Sequence, residues 1–389
     1  MNDILFGCIQ CGRCTGGCPV SVRSALNIRK LIYRSLIKIK NKSKDLGIWE
    51  CTTCSTCSIR CPKGVDVVDY IIDLRSDEIE RGKVQPQVRD TLESVFKFGN
   101  PWGRIREKRA DWLEGNGVRI LQPGDKTRFL YFVGCTPCYD TRTQEIARAM
   151  VRVLKTASCD FAILGIQETC CGNEVKRMGE VGLFEMLVEE NTKLFKKFDI
   201  GTFFTTSPHC FNTFKNEYID LDFVIEHYTT LINRFIKEGR IEPRGKFEKR
   251  VVFHDPCFLG KQNDIYEEPR ELLRSVPGIE LFEFERSRER SLCCEGGGGR
   301  MWVETESDEE RLAVTRVKDA AVLEVDVIAT ACPFCLLTLE DAVKTSNLED
   351  SIKVMDIVEI LDEALGLKDE EERVPEYQNT RSSDSKQSQ

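Results

Sequence analysis

From about residue 127 to 367, short apolar runs alternate with longer stretches in which apolar side chains return every three or four positions. The runs Phe129–Val133, Phe161–Leu164 and Thr202–Thr206 have the length and composition of buried strands. Between them, Ile146, Met150, Val153 and Leu154 share one face of an expected helix, and Phe184, Leu187, Val188, Leu194, Phe195 and Phe198 mark a second. This region is expected to be α/β. Upstream, residues 86–126 are polar and mixed, punctuated by Pro86, Gly99-Asn100-Pro101 and Pro123-Gly124. They read as a connecting segment with one helix near Arg89–Phe98. Residues 1–85 contain an amphipathic helix near Ile28–Ile39. From Lys368 to Gln389 the chain is charged and then Ser/Gln-rich, the composition of a disordered tail.

An internal repeat governs the α/β region. Cys135 precedes Cys257 by 122 residues, and Cys170-Cys171 precedes Cys293-Cys294 by 123. Ser207-Pro208-His209-Cys210 precedes Cys332-Pro333-Phe334-Cys335 by 125. The runs before those last motifs, Thr202–Thr206 and Val327–Ala331, match as well. Anchors at a nearly constant offset mean two copies of one α/β unit. The expected organisation is a helical domain at 1–85, a linker at 86–126, copies at 127–240 and 241–367, and a tail at 368–389.

Size and charge narrow the classes. A chain of 389 residues, 41% hydrophobic, can build two or three domains with real cores. Net charge is −8 with no long Lys/Arg run, which argues against a nucleic-acid partner. No basic segment followed by an apolar stretch opens the chain, and no window of about 18 apolar residues exists. A cytoplasmic protein is expected, with any contact to the inner membrane face made through a partner. There are 19 cysteines, an odd count, in a chain long enough not to need disulfides. In a reducing compartment they are best explained as metal ligands. Three histidines, His209, His227 and His254, are too few to share that work widely.

Eight of the cysteines form two runs, Cys8-x2-Cys11-x2-Cys14-x3-Cys18-Pro19 and Cys51-x2-Cys54-x2-Cys57-x3-Cys61-Pro62. This is the bacterial two-cluster ferredoxin spacing. Three thiolates two residues apart wrap one cube, and the fourth reaches the other cluster. Cys8, Cys11, Cys14 and Cys61 should hold one cubane 4Fe–4S cluster, and Cys51, Cys54, Cys57 and Cys18 the second. Gly12, Gly16 and Gly17 are expected to let backbone N–H groups approach the sulfurs. Structural zinc usually takes paired CxxC motifs, which two complete runs do not fit. The helix between the runs resembles the insertion in the ferredoxin domain of succinate dehydrogenase iron–sulfur subunits.

The second copy brings five thiols from three loops, Cys257, Cys293, Cys294, Cys332 and Cys335, to the C-terminal ends of expected strands. Adjacent cysteines bind one small ion poorly but suit different irons of a larger, open cluster. Gly296–Gly299 would let backbone lie close to a bulky cofactor. A phosphate cradle is the weaker reading, because no Lys-Ser/Thr follows and no GxGxxG spacing exists. Two zinc sites are a further alternative. His254-Asp255-Pro256 is either a proton source beside Cys257 or a turn with a hydrogen-bonded histidine.

The whole pattern, over about residues 5–365, resembles the fused ferredoxin-plus-CCG iron–sulfur component of heterodisulfide reductase and its relatives. The resemblance rests on the paired ferredoxin motifs, Gly165-x4-Cys170-Cys171-Gly172, His254-Asp255-Pro256-Cys257 and Cys293-Cys294-Glu295 followed by four glycines. It implies a ferredoxin-type domain followed by two CCG domains whose signature cysteines bind noncubane 4Fe–4S clusters. It also implies reduction of a disulfide of the coenzyme B–coenzyme M type, with electrons from the cubanes. Cys257, Cys293, Cys294, Cys332 and Cys335 would then be the catalytic cluster ligands. The first copy departs from the pattern: Ser207 replaces a cysteine, leaving Cys135, Cys170, Cys171 and Cys210, with Cys138 nearby, for an altered cluster, zinc or nothing. Glu295 replaces the glycine of Cys-Cys-Gly and adds a carboxylate beside the site. Implied partners are a membrane cytochrome b-type or flavoprotein subunit and a small disulfide or thiol substrate. The alternative function is electron transfer for a flavin lactate or glycolate oxidase, or for electron-transfer flavoprotein, towards quinone.

Overall fold

The computed structural model describes residues 3–39, 43, 46–113, 117–303 and 310–367. The expected tail at 368–389 lies outside the described residues. The N-terminal region is helical. One-turn helices at Arg13–Gly16 and Thr56–Ile59 follow the two cysteine loops. The helix Ile28–Leu36 is capped by Asn27, and Val67–Glu80 by Asp66, each side chain accepting an N–H of the first turn. The first helix stops before Ile39, and Lys38 turns into the left-handed region. Ile28, Leu31 and Ile32 pack with Ile71, Leu74 and Val68 into a small core.

Two four-stranded parallel sheets follow. The first contains β1 (Lys126–Phe132), β2 (Phe161–Ala162), β3 (Asp199–Thr205) and β4 (Val224–His227), in the order β2-β1-β3-β4. The second contains β5 (Lys249–Phe253), β6 (Ile279–Phe282), β7 (Val327–Thr330) and β8 (Lys353–Asp356), in the order β6-β5-β7-β8. The orders are the same once the strands are matched as the repeat requires. Parallel pairing demands crossovers, and helices such as Thr141–Thr156 and Pro333–Thr345 supply them. Residues 129–132 and 327–330 are buried on both faces, which is why they read as continuous apolar runs. The expected helix through Phe198 ends at Phe195.

The copies pack across a local two-fold. Helix Thr141–Thr156 of the first lies on Ile357–Ala364 of the second, and Glu267–Ser275 of the second on Tyr228–Lys237 of the first. One apolar core runs through both, and a buried Arg152–Asp362 pair at 2.7 Å crosses the seam. Helix Pro86–Phe98 sets Val88, Leu92 and Val95 against Leu130, Phe132 and Leu164 of the first copy. Arg109 behind it meets Glu168 at 2.5 Å, both fully buried.

Candidate iron–sulfur sites

The ferredoxin-type loops gather their cysteines in the interleaved sets that the spacing requires. Cys8, Cys11, Cys14 and Cys61 line one cavity. Cys18 lies with Cys51, Cys54 and Cys57 instead of with its own run. The first set is at the surface, with Cys11 exposed, and the second is buried. Burial pushes the Cys51 thiol up to about 12, and raises Cys57 as well. A buried thiolate needs a compensating cation, and iron supplies one. The donor sets therefore fit iron–sulfur clusters.

Amide donors aim at the sulfurs by one local device. Gln10, Thr53, Gly172 and Glu295 each stand two residues after a cysteine, in the left-handed region, with φ of 56°, 51°, 84° and 67°. Each N–H donates to that cysteine, Cys8, Cys51, Cys170 or Cys293, at 3.3–3.4 Å. This corrects the expectation for Gly16 and Gly17, whose N–H groups donate to the carbonyls of Gly12 and Arg13.

In the C-terminal copy the five cysteines make a continuous chain of thiol contacts. Cys257 touches Cys293, Cys293 touches Cys294, and Cys332 touches Cys335. The Cys294 and Cys335 sulfurs are 3.2 Å apart. Cys257 and Cys332 sit just beyond β5 and β7, at the carboxyl ends of the central strands. Cys293 also meets Cys54 of the second ferredoxin set and is 3.4 Å from Thr52 Oγ1. Two metal sites expected separately from sequence thus share a wall.

Two of the four glycines, Gly297 and Gly298, build that wall. A Cβ on Gly298 would lie 2.8 Å from Thr52 C and 2.9 Å from Cys51 O, and one on Gly297 would meet Thr52 O at 3.3 Å. The close approach is to ferredoxin backbone, where the glycine run had suggested a cofactor. Arg75 clamps the same seam. Its buried guanidinium donates to the carbonyls of Ile48, Cys51, Arg177 and Gly298. Lys261 Nζ bridges Thr56 Oγ1 and Ser291 O at 2.8 and 2.6 Å. Neither cation stands out in the sequence, since each bonds across long chain separations. The Glu295 carboxylate turns to the Leu312 N–H, at 2.8 Å, with Arg311 at 3.9 Å.

In the N-terminal copy, Cys135, Cys170, Cys171, Ser207 and Cys210 line one cavity. Cys138 is elsewhere, buried beside Arg109, Glu168 and Trp112. Ser207 is a helix cap whose Oγ accepts the Cys210 N–H at 3.4 Å. The copies exchange one residue each. Phe334 of the second lines this cavity, while His209 of the first reaches Cys332 of the second. His209 Nδ1 is 3.0 Å from Glu174, and its ring lies 4.2 Å from that of Phe258. Burial alone would push His209 down, but Cys332 and Glu174 outweigh it and bring it to about 10. His254 is the opposite: burial, then Arg316, push it down to about 3, so it is a neutral imidazole and not an acid.

Two ferredoxin-type cysteine sets joined to paired cysteine-rich α/β units define an iron–sulfur protein of oxidoreductase type. The 4Fe-4S dicluster domain family matches residues 4–65, and the cysteine-rich CCG domain family matches 129–215 and 251–340. In layout the chain is similar to the HdrD-like iron–sulfur proteins of heterodisulfide reductase. It is 29% identical, over 94% of its length and 95% of the relative's, to the HdrD component of the dihydromethanophenazine:CoB–CoM heterodisulfide reductase of Methanosarcina mazei. It is 38% identical to the "Probable iron-sulfur-binding oxidoreductase FadF" of Bacillus subtilis, over 92% of this chain and 59% of that one. Against the EtfAB:quinone oxidoreductase of Syntrophomonas wolfei it is 32% identical, over 93% of this chain and 58% of that one. It thus spans somewhat over half the length of these last two relatives. No helix among the described residues is long and apolar enough to cross a membrane.

Proposed function

We propose that the chain conducts electrons through two cubane 4Fe–4S clusters to a noncubane cluster held by Cys257, Cys293, Cys294, Cys332 and Cys335, where a small disulfide is reduced. The observation that carries this reading is the contact of Cys54 with Cys293, which puts the second cubane set against the C-terminal set. A disulfide takes two electrons and two protons and leaves as two thiols, so one-electron carriers must deliver twice. A cluster at the C-terminal site would supply one-electron redox chemistry and an iron able to take a thiolate. The protein keeps that site dry, with all five cysteines buried. Glu295, next to Cys294 in the chain, also lines a surface cavity with Arg300, Met301, Val303, Arg311, Thr338 and Asp341, and on this reading the substrate enters from there. In that cavity Glu295 accepts the Leu312 N–H at 2.8 Å, while Arg311, 3.9 Å from Glu295, pairs with Asp341 at 2.8 Å.

A second reading has its own support. FadF and the EtfAB:quinone oxidoreductase show higher identity than the heterodisulfide reductase relative. On that reading the chain relays electrons between a flavoprotein and quinone, and no substrate enters. One experiment separates the two. Anaerobic protein should contain about 12 iron atoms, or about 16 if the N-terminal set is filled. Reduced viologen should drive disulfide reduction, and a short thiol added to oxidised protein should give a new paramagnetic state that is absent from Cys293→Ser. Iron near zero, with zinc in its place, sinks both readings. Full iron with no thiol response, and cubanes reduced by quinol through a partner, leaves the relay.

A further inference from the structure

We infer that His254 donates an Nε2–H hydrogen bond to the sulfurs of the C-terminal cluster, is held in that tautomer by Arg316, and is not an iron ligand. The inference rests on the reading that Cys257, Cys293, Cys294, Cys332 and Cys335 hold a cluster.

His254 follows β5 directly, is 1% exposed, and brings a ring nitrogen within 4.8 Å of both the Cys294 and Cys335 sulfurs. One histidine and two cysteines so placed would ordinarily suggest coordination. Arg316 decides otherwise. Its Nε is 3.3 Å from His254 Nδ1. A guanidinium has hydrogens to give and no acceptor, so Nδ1 must be the accepting nitrogen and the ring proton sits on Nε2. A protonated Nε2 has no lone pair for iron and one hydrogen for a thiolate. Arg316 is itself fixed: it is fully buried, its Nη2 donates to Arg286 O at 2.9 Å, and its guanidinium lies 3.5 Å over the Phe284 ring. Hydrogen bonds to cluster sulfurs stabilise the more negative, reduced state and raise the potential. Phe132 stands three residues before Cys135, as His254 does before Cys257, so the device belongs to the second copy alone.

The test uses the anaerobic, iron-loaded protein labelled with 15N-histidine, by pulsed electron paramagnetic resonance in H2O and D2O. The C-terminal cluster, recognised as the signal missing from Cys294→Ser, should show an exchangeable deuteron and only a weak 15N coupling. That measurement needs no His254 variant to fold. His254→Phe should keep its iron, lose one exchangeable deuteron coupling while that of the Glu295 N–H on Cys293 remains, and lower the midpoint potential. His254→Gln, whose amide can still donate, should recover part of the shift. A strong 15N coupling of a bound nitrogen overturns the inference, as does an unchanged potential in His254→Phe. If wild type lacks the Cys294-dependent signal altogether, the cluster reading itself has failed, which iron content reports separately.

Discussion

In the N-terminal copy the residue three before the first cysteine is Phe132, the one after the cysteine pair is Gly172, and the last motif opens with Ser207. In the C-terminal copy the same places hold His254, Glu295 and Cys332. The backbone plan is common to both. Strand order is the same, and Gly172 and Glu295 share the left-handed turn that points an N–H at sulfur. Keeping that turn with glutamate costs about 1 kcal/mol or more, so the second copy retains it against a local penalty. The surroundings separate the two. Cys293 abuts Cys54 and Thr52 of the ferredoxin domain, whereas the N-terminal thiols border Val95, Met178 and Phe334. The copy with all five cysteines is the one that lies against the second ferredoxin set, and the other has serine at one of the five places.

The largest effect should come from cutting each copy in turn. Cys294→Ser is expected to lower turnover by more than about 100-fold, beyond what loss of a supporting contact costs. Cys171→Ser should leave most of it. Equal losses in steady-state disulfide reduction would end the division of labour. Next comes the seam. Gly298 has φ 69°, and a Cβ there would meet the Thr52 and Cys51 backbone below 3.0 Å. Gly298→Ala should keep its iron but slow reduction of the C-terminal cluster by roughly tenfold or more, because the sites are pushed apart. Gly172→Ala instead meets the Phe184 ring at 2.8 Å and should cost stability alone. Rapid-freeze spectra of both variants make the comparison. Ser207→Cys then restores the fifth ligand of the first copy. Iron should rise by about four atoms with turnover unchanged. A large gain in activity would mean that the first copy is catalytic too.

Much of this was legible in the sequence because it is local. Cysteine spacing within two short loops determines which thiol faces which cluster, and apolar runs with helical faces between them give the α/β units. What was not legible depends on contacts between distant segments. The glycine run looked like a cofactor cradle, since nothing near residues 296–299 names Thr52 as its neighbour. Arg75 sits in an amphipathic helix like any charged residue, yet it is fully buried and bonds to segments more than 100 residues away. His209 belongs by sequence to the first copy's site and by contact to the second's. Helix ends were missed by a few residues where a left-handed residue such as Lys38 stops the turn.

The smallest expected effect concerns the far end of each sheet, where the repeat sets His227 against Asp356. Both are buried N-caps, at the ends of β4 and β8, and both are pushed towards neutrality. Burial takes His227 from 6.5 down to about 3. Burial takes Asp356 from 3.8 up to about 8, although the Tyr228 hydroxyl donates to it. The signs are opposite. A histidine whose folded value is depressed contributes its full stability above about 6.5 and loses it as pH falls towards 3. A carboxyl whose folded value is raised contributes fully below about 4 and loses it as pH rises through 8. Acid should therefore loosen helix Tyr228–Lys237, and base should loosen helix Ile357–Ala364, each by no more than about 1.4 kcal/mol per pH unit. Hydrogen exchange of the two helices from pH 5 to 9 reads this directly. Asp356→Asn keeps a capping oxygen and an acceptor for Tyr228 but cannot ionise. Its stability relative to wild type should grow from pH 5 to about 8 and level off above that. A difference that stays flat with pH would show that the Asp356 carboxyl ionises in the fold as freely as in water, and the two ends of the repeat would then be electrostatically alike.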